Sequence, residues 1–544
     1  MGVMAFRNGT VWRGNGLPDT DRLLVVDGRI APWDEDVSPD VSVDLNGGLL
    51  APAFGDGHAH PILAGLEQQG PAIRDARDVS EIVERVQAWA QDHPDDEWIV
   101  AASYDATLTP SGLFDARWLD AVVPDRPVML RAWDYHSVWC NTRALELAGI
   151  DEDTPQPDVG EIPRRDDGQP LGTLLEWGAV DLALRVAPAP SLDQGVEALE
   201  YATGHLAGRG IAWFQDAWVD PDDIEIWLAA AQRGVLRCRA DLALRADPLR
   251  WAEQRYQIAG QRDRIRAAPH LTCNTIKFFV DGIIENHTAH LLHDYADACT
   301  RGMKVWQHDE LLAAAAFVDE LGFELHLHAI GDAGARSALD AVEHIQAVNG
   351  PRDRRPVIAH AQLVDDDDLP RFADLGVIAC FQPLWATTDD VMQQLTLPRL
   401  GHERGHRQYR IGSVLRSGAP MSFGSDWPVT SADVLPALQT AVTRARQDGT
   451  PHGGWMPEER IDIVDALDIV TRGVAYQAGA ETSRGVLNDG FEADLVWLSA
   501  DPRQSPVSDL SSISVLGTWV AGIPTYQLNS TSSTLQAQME RTRV

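Results

Sequence analysis

The sequence predicts an α/β protein: a (β/α)8 TIM barrel with a small β-sandwich assembled from both chain ends. Three observations predict it. Short apolar, β-like runs alternate with helix-length stretches through the middle of a 544-residue chain. The runs are almost continuously apolar, as parallel strands buried on both faces must be. Strand-like segments punctuated by Gly and Pro occur at both ends of the chain. Eight core runs are expected, at 49–54, 211–216, 238–244, 275–280, 323–328, 357–361, 377–382 and 421–425. From the second onward they are separated by helix-length segments such as 309–321 and 333–348, and eight such units close a barrel.

Taken in order, residues 1–50 read as short strands, with Asp27-Gly28 as a hairpin turn between apolar runs. The same texture returns in Ala493-Asp-Leu-Val-Trp-Leu and the Gly- and Pro-marked stretch after it, so 1–50 plus 480–526 are expected to form one β-sandwich domain. Residues 51–479 are the expected barrel. Within them, 66–200 interrupt the alternation with aromatic-rich segments such as Trp133-Asp-Tyr-His-Ser-Val-Trp-Cys and read as an inserted lobe. Residues 527–544 are a polar tail.

Composition narrows the function classes. Eighty-one Asp and Glu against 45 Lys and Arg give a formal charge of −36, a surface that repels phosphate backbones and anionic lipid. No apolar run approaches the ~18 residues of a membrane span, and the first residues lack the basic-then-apolar layout of a secretory signal. Five scattered cysteines suggest a reducing, cytoplasmic setting and no thiolate zinc site.

The chemistry is expected at the C-terminal ends of the strands. In Gly55-Asp-Gly-His-Ala-His, His58 and His60 are two residues apart and leave the same face of an extended backbone, where they can share one divalent metal. Alone, such a pair is as readily two surface histidines. Three more candidates end other strands: His328, His360 and Asp426. One such histidine is ordinary; the set on one barrel rim is not. His326 shares a face with His328 but sits deeper, and reads as a hydrogen-bonded core histidine. Only two of the 45 basic residues are lysines, and one of them, Lys277, sits in the apolar Thr275-Ile-Lys-Phe-Phe-Val-Asp-Gly. Burial lowers a lysine pKa, and a neutral amine beside divalent metals can form a carbamate whose two oxygens bridge cations. The plain alternative is an ammonium paired with Asp281 or another carboxylate.

On these motifs the chain resembles the metal-dependent amidohydrolase superfamily, in its YtcJ-like (amidohydrolase family 3) branch. The resemblance rests also on His136-Ser-Val-Trp-Cys-Asn-Thr-Arg-Ala-Leu, Asp167-Gly-Gln-Pro-Leu-Gly-Thr-Leu-Leu-Glu, His328-Ala-Ile-Gly-Asp, His360-Ala-Gln-Leu-Val, Gln382-Pro, Gly424-Ser-Asp-Trp-Pro-Val and the closing Gly485-Val-Leu-Asn-Asp-Gly-Phe-Glu-Ala-Asp-Leu-Val. It implies one or two divalent ions, zinc the first choice. His58 and His60 would hold the inner ion, Lys277 as a carbamate would bridge, His328 and His360 would hold the outer ion, and Asp426 would bind metal and carry the proton. Glu176 is implied as a ligand or a supporting group. His136 is either an aid to the oxyanion or an anchor of the lobe. The expected reaction is hydrolysis of an amide-like C–N bond in a small N-acyl or N-formyl amine. A ring deaminase or cyclic-amide hydrolase is the alternative. Trp218, Trp385 and Trp427 at strand ends, with Asp281, form the expected substrate contacts and favour an apolar or aromatic substrate. No arginine cluster marks a carboxylate clamp. Barrels of this superfamily often pair, so a homodimer is the expected assembly.

Overall fold

The structure, a computed structural model, describes residues 2–528; most of the polar tail expected at 527–544 lies outside the described residues. Eight parallel strands form one sheet in sequential order: β1 Phe54–Ala59, β2 Ile211–Val219, β3 Arg239–Arg245, β4 Leu271–Phe279, β5 Glu324–Ala329, β6 Val357–His360, β7 Ile378–Phe381 and β8 Met421–Phe423. Helices run between successive strands from β2 onward, including His308–Glu320 and Asp332–Asn349. The ring is drawn shut at its C-terminal mouth. Ala59 bridges Trp427 in parallel, His60 N donates to Trp427 O at 2.8 Å, and Asp426 N donates to His58 O at 2.7 Å. That seam demands a glycine at 424, because a Cβ there would meet His58 Cβ and N at 2.7 Å.

The first expected strand needs correction. Leu49–Pro52 does not enter the barrel; it pairs antiparallel with Leu495–Leu498 and parallel with Thr10–Val11 in a five-stranded sheet with Val515–Val520 and Ile523–Gln527. The barrel begins at Phe54, in the Gly-Asp-Gly segment that looks like a turn. The glycines are there for packing: a Cβ on Gly55 would sit 2.4 Å from Val474 Cγ1. A second terminal sheet joins Val3–Arg7, Leu23–Val26, Arg29–Ala31 and Val41–Asp44, and Asp27-Gly28 turns its hairpin with both φ angles positive (48° and 80°). Phe6 and Trp519, from opposite ends of the chain, meet edge-to-face at 5.2 Å in its core.

Between β1 and β2 the chain builds another sheet from Ile99–Tyr104, Val128–Ala132, Ser137–Cys140 and Thr173–Leu175. The helix Val79–Asp92 covers it because Ile82, Val86 and Ala90 recur at four-residue spacing, and Asp78 caps it by accepting from Glu81 N. Trp139, Phe114 and Tyr104 fill this core. The helix Leu192–Ala207, started by a Ser191/Gln194 capping box, returns the chain to the barrel. The loops of this inserted region reach the same barrel mouth as the strand ends. Among the described residues, no helix is long and apolar enough to cross a membrane.

Candidate metal centre

Strand register brings the predicted ligands together. His58 at the end of β1, His360 at the end of β6 and Asp426 just past β8 are buried, and their ligand atoms all lie within 4.8 Å of one another. Asp426 Oδ1 is 3.0 Å from His60 Nε2 and 3.5 Å from His58 Nε2, yet it accepts no hydrogen bond. Lys277 and His328, from β4 and β5, line the same cavity of about 420 Å³. His360 and Asp426 both hold the left-handed backbone conformation (φ 74° and 55°), costly for non-glycine residues and concentrated where function needs it.

Electrostatics suits a cation. Burial pushes His58 and His328 well below the usual histidine range and His360 to about 3, leaving neutral imidazoles with free lone pairs. Burial also lowers Lys277 to about 8, and among the described residues it forms no ion pair, with Asp281 or any other carboxylate. Burial works to raise Asp426, but His60, His360 and Lys277 outweigh it and hold it below the usual carboxylate value. Neutral imidazoles, one anionic carboxylate with an orphaned buried oxygen, and an amine inclined to lose its proton make a donor set for a divalent ion. The ligands are aimed from behind. Gln382 Oε1 accepts from His360 Nδ1 at 2.9 Å, and His326 Nε2 shares a 2.8 Å hydrogen bond with His58 Nδ1. Asp56 accepts from Ser425 N, Ser425 Oγ and His58 N, tying the ends of β1 and β8 together.

The other expected residues divide. His136, from the inserted region, lines the cavity beside His328. Glu176, wholly buried, faces His136 Nδ1 at 3.0 Å and accepts from Thr288 Oγ1. It therefore supports His136 and is not one of the converging ligands. Burial works to lower His136, but the Glu176 carboxylate outweighs it and raises the ring to about 9. Trp218 lines the cavity, stacked on Trp177 at 4.5 Å. Trp385 stacks on His360 at 5.4 Å and 4°.

Two expectations are corrected. Trp427 turns away from the cavities and stacks on His205 at 4.5 Å, because its backbone is engaged in closing the barrel. Asp281 lines none of these cavities either; it accepts the backbone N–H groups of His290, Ile330 and Gly331, clamping the loop after β5. Sequence reasoning gave no role to Gln382 or to Trp177, although both fall in or beside motifs it marked, and it ranked His326 as core.

Two larger cavities adjoin the centre. One is walled by Trp133, Trp385, Tyr409, Met392 and Leu395 and reaches His328, His360 and Asp426. The other is bounded by Trp177, Trp218, Arg131 and Arg245 and reaches His60.

Comparison with known proteins agrees with this geometry. Residues 42–526 match the model of the amidohydrolase family. The chain is 28% identical over 497 residues to the putative amidohydrolase YtcJ of Bacillus subtilis (strain 168), covering 89% of this chain and 90% of that protein. It is 26% identical over 533 residues to the N-substituted formamide deformylase of Arthrobacter pascens, covering 93% and 94%. In fold it is similar to an uncharacterized metal-dependent hydrolase from Pyrococcus horikoshii OT3, with TM-score 0.73 at 24% identity, covering 93% of this chain and 99% of that one. With a match of this extent and ligands converging at the barrel mouth, the chain belongs to the amidohydrolase family, as a metal-dependent hydrolase acting on C–N bonds.

Proposed function

We propose that the protein hydrolyses the amide-like bond of a small, largely apolar or aromatic N-acyl or N-formyl amine, in the cytoplasm. The observation that carries this reading is the convergence of His58, His60, Lys277, His328, His360 and Asp426 on one cavity between two tryptophan-walled pockets. There His58, His60 and Asp426 would hold one divalent ion and His328 and His360 a second, with Lys277, as a carbamate, a ligand to both; zinc would suit these ligands best. Such an ion, when bound, makes a water acidic enough to attack at neutral pH and polarises the carbonyl under attack.

The chain's own groups do the rest. Asp426, kept ionised, accepts the proton of the attacking water as its oxygen bonds to the acyl carbon. It returns that proton to the nitrogen as the C–N bond breaks, so that amide and water become acid and amine. His136, held protonated by Glu176, donates to the developing oxyanion. The apolar wall of Trp385, Met392 and Leu395 excludes water from the substrate's hydrophobic part and orients it. The similarity to a formamide deformylase supports a C–N bond of this type.

The test is a screen of N-acyl amines, ring amides and amino-heterocycles with zinc-supplemented protein, with product masses determined. Release of an amine from acyclic amides, lost after chelation and restored by zinc, is expected. Ammonia release from heterocycles alone would reassign the enzyme to ring deamination. Turnover indifferent to chelation would overturn the metal reading.

A further inference from the structure

The cavity bounded by Trp177 and Trp218 contains a cation with no partner. Arg131 is the fourth of the five residues of the strand Val128–Ala132 of the inserted sheet. Its guanidinium lies 5.7 Å from the Tyr135 ring centroid and 5.6 Å from that of Trp177. Asp181 and Asp220 act on it from beyond ion-pair distance. Its Nη1 is buried without a hydrogen bond, and among the described residues it forms no ion pair. Trp177 Nε1, in the same cavity, is also a buried donor without an acceptor. Buried donors normally find partners, so two neighbouring ones left open call for an acceptor from outside the chain.

The cavity's other half-buried arginine is already engaged. Arg245, over the Trp218 ring at 4.6 Å, is surrounded by Asp181, Asp220 and Asp247 at 3.4, 3.5 and 3.7 Å. Asp216 accepts from Trp218 N at 3.2 Å, and burial raises it well above the usual carboxylate value. Arg131 thus forms no ion pair among the described residues; the exposed Arg185 and Arg250 stand at the same cavity, which also reaches His60 and the metal centre.

We infer that Arg131 and the Trp177 N–H form a carboxylate subsite, so that the substrate carries an acidic group on the side of its scissile bond opposite the Trp385 pocket. A guanidinium fork matches a carboxylate in plane, and the aromatic faces hold it rigid for that contact. The ring of Asp181, Asp220 and Asp247 around Arg245 favours a monoanion over a phosphate. The subsite's cation is a single arginine rather than a cluster, and the assignment rests on the hydrolase reading above.

Two probes without a C–N bond test it: 4-phenylbutanoate and its neutral counterpart 4-phenylbutanol, titrated calorimetrically into the full-length, zinc-loaded protein. The acid is expected to bind at least about ten-fold more tightly than the alcohol. Arg131→Met brings the two within about two-fold, and Arg131→Lys retains an intermediate preference because it keeps the charge and loses the fork. Equal affinities in the unchanged protein, no measurable binding of the acid, or a preference that survives in Arg131→Met overturns the subsite. The last result would mean that the metals alone hold the anion. Failure of the hydrolysis screen with this preference intact would instead strike the reaction and spare the subsite.

Discussion

The barrel rim and the inserted region contribute to one site in different ways. The rim supplies groups fixed by strand register: β1, β4, β5 and β6 carry His58, Lys277, His328 and His360, and Asp426 follows β8. The inserted region supplies groups fixed by side-chain packing: His136 held by Glu176, Arg131 laid on aromatic rings, and Trp177 stacked on Trp218. Register is set by a ladder of backbone hydrogen bonds and changes little when surface residues change. Packing can be retuned by exchanging single side chains. The difference teaches that the rim groups are held by backbone register, whereas the inserted region's groups are held by side-chain packing and can be retuned one residue at a time.

Substitutions can break or sharpen that contrast. The largest effect belongs to the rim. Lys277→Ala is expected to lose bound metal, read by elemental analysis, along with turnover; full metal and activity would remove its bridging role. Asp426→Asn is expected to lower kcat by about 10³-fold or more, the scale of a lost acid–base group, while most metal stays.

His136 comes next. His136→Gln should cost about 10²-fold in kcat, the scale of one oxyanion donor. The pH dependence has a definite sign. Because Glu176 raises His136 to about 9, its charge is present below that pH, and activity should fall as pH rises through about 9. Glu176→Gln moves that limb toward lower pH. The stability this charged pair contributes is likewise full below the unfolded histidine value and lost as pH climbs through about 9, which thermal unfolding across that window would read. Gln382→Leu, which leaves His360 unaimed, should weaken metal affinity by roughly 10- to 100-fold with the ligands unchanged. The smallest effect is reserved for Trp427→Phe. Its ring stacks outward on His205, so KM should change less than about two-fold for any substrate. A large KM rise would return that ring to the substrate.

Much of the rim was legible before any fold was known, because a histidine, lysine or aspartate at the end of an apolar run has its direction set by two-residue periodicity. Where the reading failed, packing overrode local pattern. The apolar stretch at Leu49 has every mark of a core strand and is one, but in the terminal sheet. The glycine-rich segment after it became the first barrel strand because Val474 and the seam to β8 leave no room for side chains.

By itself the sequence determined the alternation of strands and helices and the placing of the candidate ligands on a common rim, since these follow from periodicity and residue chemistry within short windows. Only the tertiary structure decided that Trp427 faces outward, that Asp281 is consumed by backbone amides, that His326 steadies His58, and that Arg131 stands unpaired beside Trp177. Each of these depends on which distant groups compete for one side chain. That competition is settled by burial and hydrogen-bond satisfaction across the whole fold, which no local window of sequence contains.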